Sequence, residues 1–202
     1  ESSNEDEIEF NELYNREHGD ERVWMPGFHR ARRYIDADGT APFKYFATYE
    51  TTSVEDLADP KYMELLKDQS DWSKKVMATF TRFERITADI TIDLAHGFGG
   101  GCSIAWFNPK VDVMDGLRDY LRDALLEQIV QTPGIVGAFL AENNLEVANE
   151  GRRAQGIAIP EGETSSWIII IEAQDSVTSS RSLNSLSVNG LPKFSLKSSE
   201  IS

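Results

Sequence analysis

Two stretches of this 202-residue chain repeat each other. ERVWMPGFHRARRY (21–34) aligns with QIVQTPGIVGAFLA (128–141) at a shift of 107, which lays Pro26 on Pro133. YFATYE (45–50) aligns with WIIIIE (167–172) at a shift of 122, the difference being a longer connection in the second copy. Whatever one copy folds into, the other is expected to fold into as well. In both copies a Pro-Gly pair ends a helical pattern and turns the chain into a strand.

The elements around the repeat can be read in order. Phe10, Leu13 and Tyr14 fall at helical spacing, with Glu17 and His18 continuing the same side, and the acidic residues of 1–9 suit a helix entry. Strands are predicted at 28–35 and 43–50. A helical stretch follows from Ser53, capped by that serine and broken at Pro60, with a further turn at Trp72 to Met77. Ile86, Ala88, Ile90 and Ile92 alternate with polar residues, which predicts a strand at 84–93. Gly97, Gly99, Gly100 and Gly101 read as a linker; a phosphate cradle would need a following Lys-Ser/Thr and a helix, and neither is there. The second half then predicts a strand at 102–107, a helix from Asp112 to Val130, strands at 135–140 and 167–172, a short helix at 175–186 and a closing strand at 193–197. Residues 143–164 read as a long polar segment that either covers a cavity mouth or is a passive insertion.

Each half therefore reads helix, strand, strand, helix, strand, and the second also shows a leading strand. That order is the split βαβ, ferredoxin-like unit, an α+β fold. The expected domains are a first repeat at 1–95, a linker at 96–101 and a second repeat at 102–202. The first half's leading strand would fall upstream of Glu1, or that half is open at one edge.

Charge and composition exclude several function classes. A net charge of −14 and a pI near 4.6 argue against nucleic acid and against anionic membranes, both of which need a basic face. No apolar run approaches the ~20 residues that span a bilayer. Cys102 is the only cysteine, so an intrachain disulfide is impossible and a reducing, cytoplasmic setting is expected. No HxH, HExxH or paired-cysteine spacing points to a metal, and no nucleophile motif is present.

The repeat also acts as an internal control on candidate residues. At the shift of 107, Phe10, Tyr14, Glu17 and His18 fall on Leu117, Leu121, Ala124 and Leu125. A helix face that is plain core in one copy is polar in the other, and buried polar groups are costly unless partnered or used. This places a single site in the first half, with His18, Tyr14 and Glu17 as its catalytic candidates. His18 is either a proton-transfer group or a rim residue bonded to Glu17 or a backbone carbonyl. On the strand 28–35, Phe28, Arg30, Arg32 and Tyr34 are expected on one face. The two arginines there either hold an anion or pair with acidic neighbours such as Glu50 and Glu84. Trp24, Tyr45 and Tyr49 serve as packing or as the walls of an aromatic pocket.

The run EFNELYNREHGDERVWMPGFHRARRY, followed by FKYFATYETTSVEDL, resembles the EthD-like branch of the dimeric α+β barrel superfamily. The resemblance implies tandem ferredoxin-like repeats fused in one chain, whose sheets face each other as a pseudo-dimeric α+β barrel. Relatives of that kind include cofactor-free isomerases, cyclases and decarboxylases, monooxygenases and haem proteins.

The expected function is cofactor-independent proton transfer (isomerisation, decarboxylation or cyclisation) on a small aromatic or unsaturated acid or ketone. His18 would act as acid/base, Tyr14 as donor and Arg30 or Arg32 as anion anchor. The alternative is a non-catalytic ligand-binding or structural barrel, with a haem oxidoreductase using His18, His29 or His96 a lesser one. No cofactor is expected, the partner is a small molecule, and a monomer or weak homodimer suffices because one chain carries both halves.

Overall fold

In the computed structural model, residues 4–39 and 41–189 are described. The strand predicted at 193–197 lies outside them. In chain order the elements are α1 (Asn4–Leu13), a π-helical turn (Tyr14–His18), α2 (Gly19–Val23), β1 (Phe28–Ile35), β2 (Tyr45–Thr51), a 3-10 turn (Val54–Ala58), α3 (Pro60–Lys67), α4 (Asp71–Met77), β3 (Ala88–Asp93) and β4 (Gly101–Phe107). A 3-10 turn (Val111–Val113) then leads to α5 (Met114–Tyr120), a second π turn (Leu121–Leu125), α6 (Leu126–Val130), β5 (Ile135–Asn143), α7 (Leu145–Gln155), β6 (Trp167–Ala173) and α8 (Ser176–Asn189). The α+β class is as expected. The strands form two antiparallel sheets, one of β1 and β2 and one ordered β3-β5-β6-β4, and close no barrel among the described residues. No helix among the described residues is long and apolar enough to cross a membrane.

The chain divides into two compact units that interleave along the sequence. One takes residues 1–36, 43–87 and 144–161, the other 37–42, 88–143 and 162–202. Residues 96–101, expected as a linker, fall inside the second unit. A Cβ at Gly99 or Gly101 would collide with the backbone of Ala173 or Asp175, so these glycines permit close packing against the end of β6.

In the second unit β4 and β5 both pair antiparallel with β6 and so run parallel to each other, joined by the α5–α6 helix. This is a split βαβ. Its core is apolar: Leu117, Leu121, Leu125 and Ile129 from the helix meet Ala138, Leu140, Trp167, Ile169 and Ile171 from the sheet. Those four helical residues are spaced four apart. In an α-helix such a stripe rotates by roughly 40° per step and would leave the sheet. The π turn, with more residues per turn, brings it back.

The first unit repeats this local geometry at the same offsets. Its π turn, the helix after it and its first strand all begin 107 residues before their counterparts, and β2 begins 122 before β6. Gly27 and Gly134 both adopt left-handed φ (83° and 88°), where glycine is unstrained. Their carbonyls accept from Thr52 N and Gln174 N, each at 2.8 Å. Both strand pairs carry a bulge just after the corner, between Phe28 and Arg30 and between Ile135 and Gly137.

That bulge corrects one expectation: it turns Phe28 onto the face of Tyr49, where it packs on Tyr62, while Arg30, Arg32 and Tyr34 share the opposite face. A second correction concerns 143–164, which is not a long loop. Asn144 caps α7 by accepting from Val147 N at 3.1 Å, Gly156 ends it at φ 70°, and α7 packs on α3 with Val147 and Gly151 buried. The strands predicted at 84–93 and 43–50 are shorter or shifted, at Ala88–Asp93 and Tyr45–Thr51.

Candidate functional site

The face between the α1–π–α2 helix and the β1–β2 sheet is where the two units differ in chemistry. Positions filled by Leu117, Leu121, Leu125, Ile129, Leu140, Trp167 and Ile171 in the second unit hold Phe10, Tyr14, His18, Arg22, Arg33, Tyr45 and Tyr49 in the first. The local backbone is shared, and a set that is aliphatic apart from Trp167 has become aromatic and ionisable.

His18 sits in the π turn and is only 6% exposed. Its ring lies 4.5 Å from that of Tyr14 and 6.3 Å from that of Tyr49. Its Nδ1 is enclosed and has no hydrogen-bond partner. Burial, assisted by the Arg22 guanidinium, pushes its pKa down to about 3, so the imidazole is neutral at physiological pH. Arg22 is itself buried, donates from Nη1 to the His18 carbonyl at 2.8 Å and lies 3.5 Å from Glu21. Burial raises the pKa of both Tyr14 and Tyr49, which keeps the two phenols protonated. Both tyrosines are half-buried, and neither hydroxyl makes a hydrogen bond among the described residues.

Glu17 points elsewhere. Its carboxylate accepts from Ser70 Oγ and, at 3.4 Å, from Ser73 Oγ, which ties the π turn to the start of α4. It does not bond His18, so of the alternatives for that histidine the bond to Glu17 is not formed, and Glu17 links two helices instead. Arg30 pairs with Glu50 at 2.6 Å, Arg32 lies over Tyr34 at 5.0 Å, and Tyr34 stacks on Phe46 at 6.1 Å, all on the other face of the sheet. Trp24 is 80% exposed and donates to Asp20 at 3.2 Å, so it walls no pocket. Tyr45 lines the same helix–sheet face as Tyr49 but is engaged, donating to Glu7 at 2.7 Å and accepting from Asn11 at 3.1 Å. His29, exposed, contacts Thr52 Oγ1 at 2.9 Å.

Two residues at the site escaped the sequence reading: Arg22 and Arg33. The signal for both was in the repeat, because at the shift of 107 they fall on Ile129 and Leu140, buried core positions. Strand alternation sets Arg33 on the face opposite Arg30 and Arg32. Its guanidinium is ringed by Phe10, Tyr14 and Tyr45 at 5.3–5.5 Å from the ring centres, and its Nη2 donates to Asn11 at 2.8 Å and Asn15 at 3.2 Å.

Among the described residues no group of three or more His, Cys, Asp or Glu side chains is arranged to hold a metal ion. No protein-family model matches the chain, and no curated protein is significantly similar to it.

Proposed function

We propose that the first unit binds a small aromatic or unsaturated acid or ketone at its helix–sheet face and carries out cofactor-free proton transfer there, with His18 as the base. The observation that supports this reading is the chemical asymmetry of the repeat: an apolar core on one copy of the backbone, and on the other an imidazole whose enclosed Nδ1 has no partner, beside two tyrosines whose hydroxyls are unbonded among the described residues. An orphaned buried acceptor costs about 1–3 kcal/mol. Such a cost calls for a reason, of which a catalytic role is one.

Nδ1 is enclosed, so the substrate reaches it when a neighbouring side chain moves aside; with the ring proton on Nε2, Nδ1 then offers a lone pair to an acidic C–H. The C–H electrons move into an enolate, whose oxygen takes a hydrogen bond from the Tyr14 or Tyr49 hydroxyl. A base held near pKa 3 is weak in the empty protein. The developing negative charge beside it offsets the Arg22 repulsion and favours the imidazolium, so the base strengthens as the reaction proceeds. At the level of the fold, the split βαβ of the second unit and the recurring Pro-Gly corner support ferredoxin-like repeats of the EthD-like kind, and the single cysteine supports a cytoplasmic setting.

The test is hydrogen exchange. Enolisable aryl keto acids such as phenylpyruvate are incubated in D2O, and loss of the acidic proton signal is followed by NMR. Wild type is expected to accelerate exchange over buffer and His18→Gln to abolish the acceleration; no acceleration across a panel of such acids and ketones overturns the reading. The low His18 pKa also favours a second reading, a non-catalytic binder, which predicts saturable binding of the same compounds with no exchange.

A further inference from the structure

We propose that Arg33 is the anion anchor of this site and that its ligand is a single-ring aromatic carboxylate. The inference rests on reading the helix–sheet face of the first unit as a binding site, and it moves the anchor from Arg30 and Arg32 to a residue on the other side of the sheet.

Arg33 is unusual first in its lack of a counter-ion. In a chain of net charge −14, its guanidinium has no carboxylate of the described residues within ion-pair distance. Its polar contacts are the neutral amides of Asn11 and Asn15. At the corresponding positions the second half carries Arg118 and Arg122, which pair with Glu142, Asp115 and Asp119. Arg30, by contrast, is matched by Glu50.

A second observation points to a ligand. Arg33 Nη1 is enclosed and makes no hydrogen bond. The counterpart at the shift of 107 is Leu140, fully buried, so an apolar side chain satisfies the same place on the same backbone. A charged group with a spare N–H is a costly replacement unless something binds it.

The surroundings specify the ligand's shape. Phe10, Tyr14 and Tyr45 flank the guanidinium, and planar rings next to an arginine suit a flat aromatic acid. A carboxylate reaches the enclosed Nη1 as the flanking side chains part and, on displacing the longer Asn15 contact, takes Nη2 as well, giving the forked pair that arginine forms best. Tyr14 also touches His18, so the anchor and the unpartnered Nδ1 flank one tyrosine ring. The guanidinium carbon and the imidazole centre lie no more than about 10 Å apart, within the reach of a single-ring acid with a short side chain.

The experiment titrates the wild-type protein with benzoate and, separately, with the neutral isostere benzamide, following His18 and tyrosine ring resonances by NMR. Benzoate is expected to bind saturably at millimolar concentration and benzamide not to bind. Arg33→Gln should weaken benzoate roughly tenfold or more, while Arg32→Gln changes it by less than about twofold. Arg33→Lys, which keeps the charge and loses the fork, should fall between. Absence of saturable benzoate binding, equal binding of benzamide, or loss of binding in Arg32→Gln but not Arg33→Gln overturns the proposal. The wild-type comparison of benzoate with benzamide decides even if an Arg33 variant does not fold. Exchange that is lost in His18→Gln but kept in Arg33→Gln refutes the anchor and spares the proton-transfer reading. Arg33-dependent benzoate binding without any exchange does the opposite.

Discussion

His18 and Leu125 occupy equivalent turns of equivalent helices, and both are buried. The leucine fills its place with no polar atom to satisfy, whereas the imidazole leaves Nδ1 orphaned. Leu125→Ala is therefore expected to cost roughly 2–5 kcal/mol through cavity formation. His18→Leu is expected to be neutral or to stabilise while removing any exchange activity, since it restores the aliphatic solution. Thermal melts of the two variants check both. The histidine also makes a pH prediction. Its folded pKa, about 3, is below the ordinary value of 6.5, so the unfolded chain takes up its proton first. The associated stability is complete above pH 6.5 and is lost as pH falls toward 3. Between pH 7 and pH 4 the loss attributable to this residue should be roughly 3 kcal/mol, and it should be absent in His18→Leu. Denaturant unfolding of both proteins at the two pH values measures the difference.

At the scale of elements, the Pro-Gly corners are where the halves are most alike in backbone and least alike in tolerance. An added Cβ at Gly27 would collide with the carboxylate of Asp56, which accepts from Ser53 N at 2.9 Å in the capping box of the following 3-10 turn. At Gly134 the nearest atom is the flexible end of Gln174, 3.1 Å away. Both glycine-to-alanine changes incur the left-handed penalty of about 1–2 kcal/mol, and Gly27→Ala should be the more damaging because it also disrupts the cap. Paired melting curves test the order. The corners, most strands and the break at Pro60 were legible because proline, glycine and alternation act locally. Helix α7 was not: its buried positions include a glycine, so hydrophobic periodicity is faint, and only the Asn144 and Gly156 caps mark its ends. The π turns were hidden for a similar reason, since a four-residue apolar spacing is compatible with several helical windings. Phe28 was placed on the wrong face because a bulge reverses alternation without changing composition.

Across the molecule, the two units are built to different standards of burial. Strands β5 and β6 are buried along most of their length, while β1 and β2 form a two-stranded ribbon of mostly half-buried residues. Amides of 135–143 and 167–173 should accordingly exchange with solvent far more slowly than those of 28–35 and 45–51, as mass spectrometry of deuterated peptides would report. The site residues were half legible at this scale. Comparing copies singles out Tyr14 and His18, whose rings lie 4.5 Å apart, because a polar residue over an aliphatic one stands out. Arg22 and Arg33 carry the same mark, but strand phase alone points to Arg30 and Arg32 instead.

The matching π turns, corners and bulges make the second unit a blank of the first, one scaffold cast twice with different lettering. If backbone alone positions the polar set, it is portable. Writing Leu117→Phe, Leu121→Tyr, Leu125→His, Ile129→Arg, Leu140→Arg and Ile171→Tyr into the second copy would transcribe the lettering onto a sheet buried by its neighbours rather than left as a ribbon. Stability lost in that transcription would measure what the first unit forgoes to keep its site.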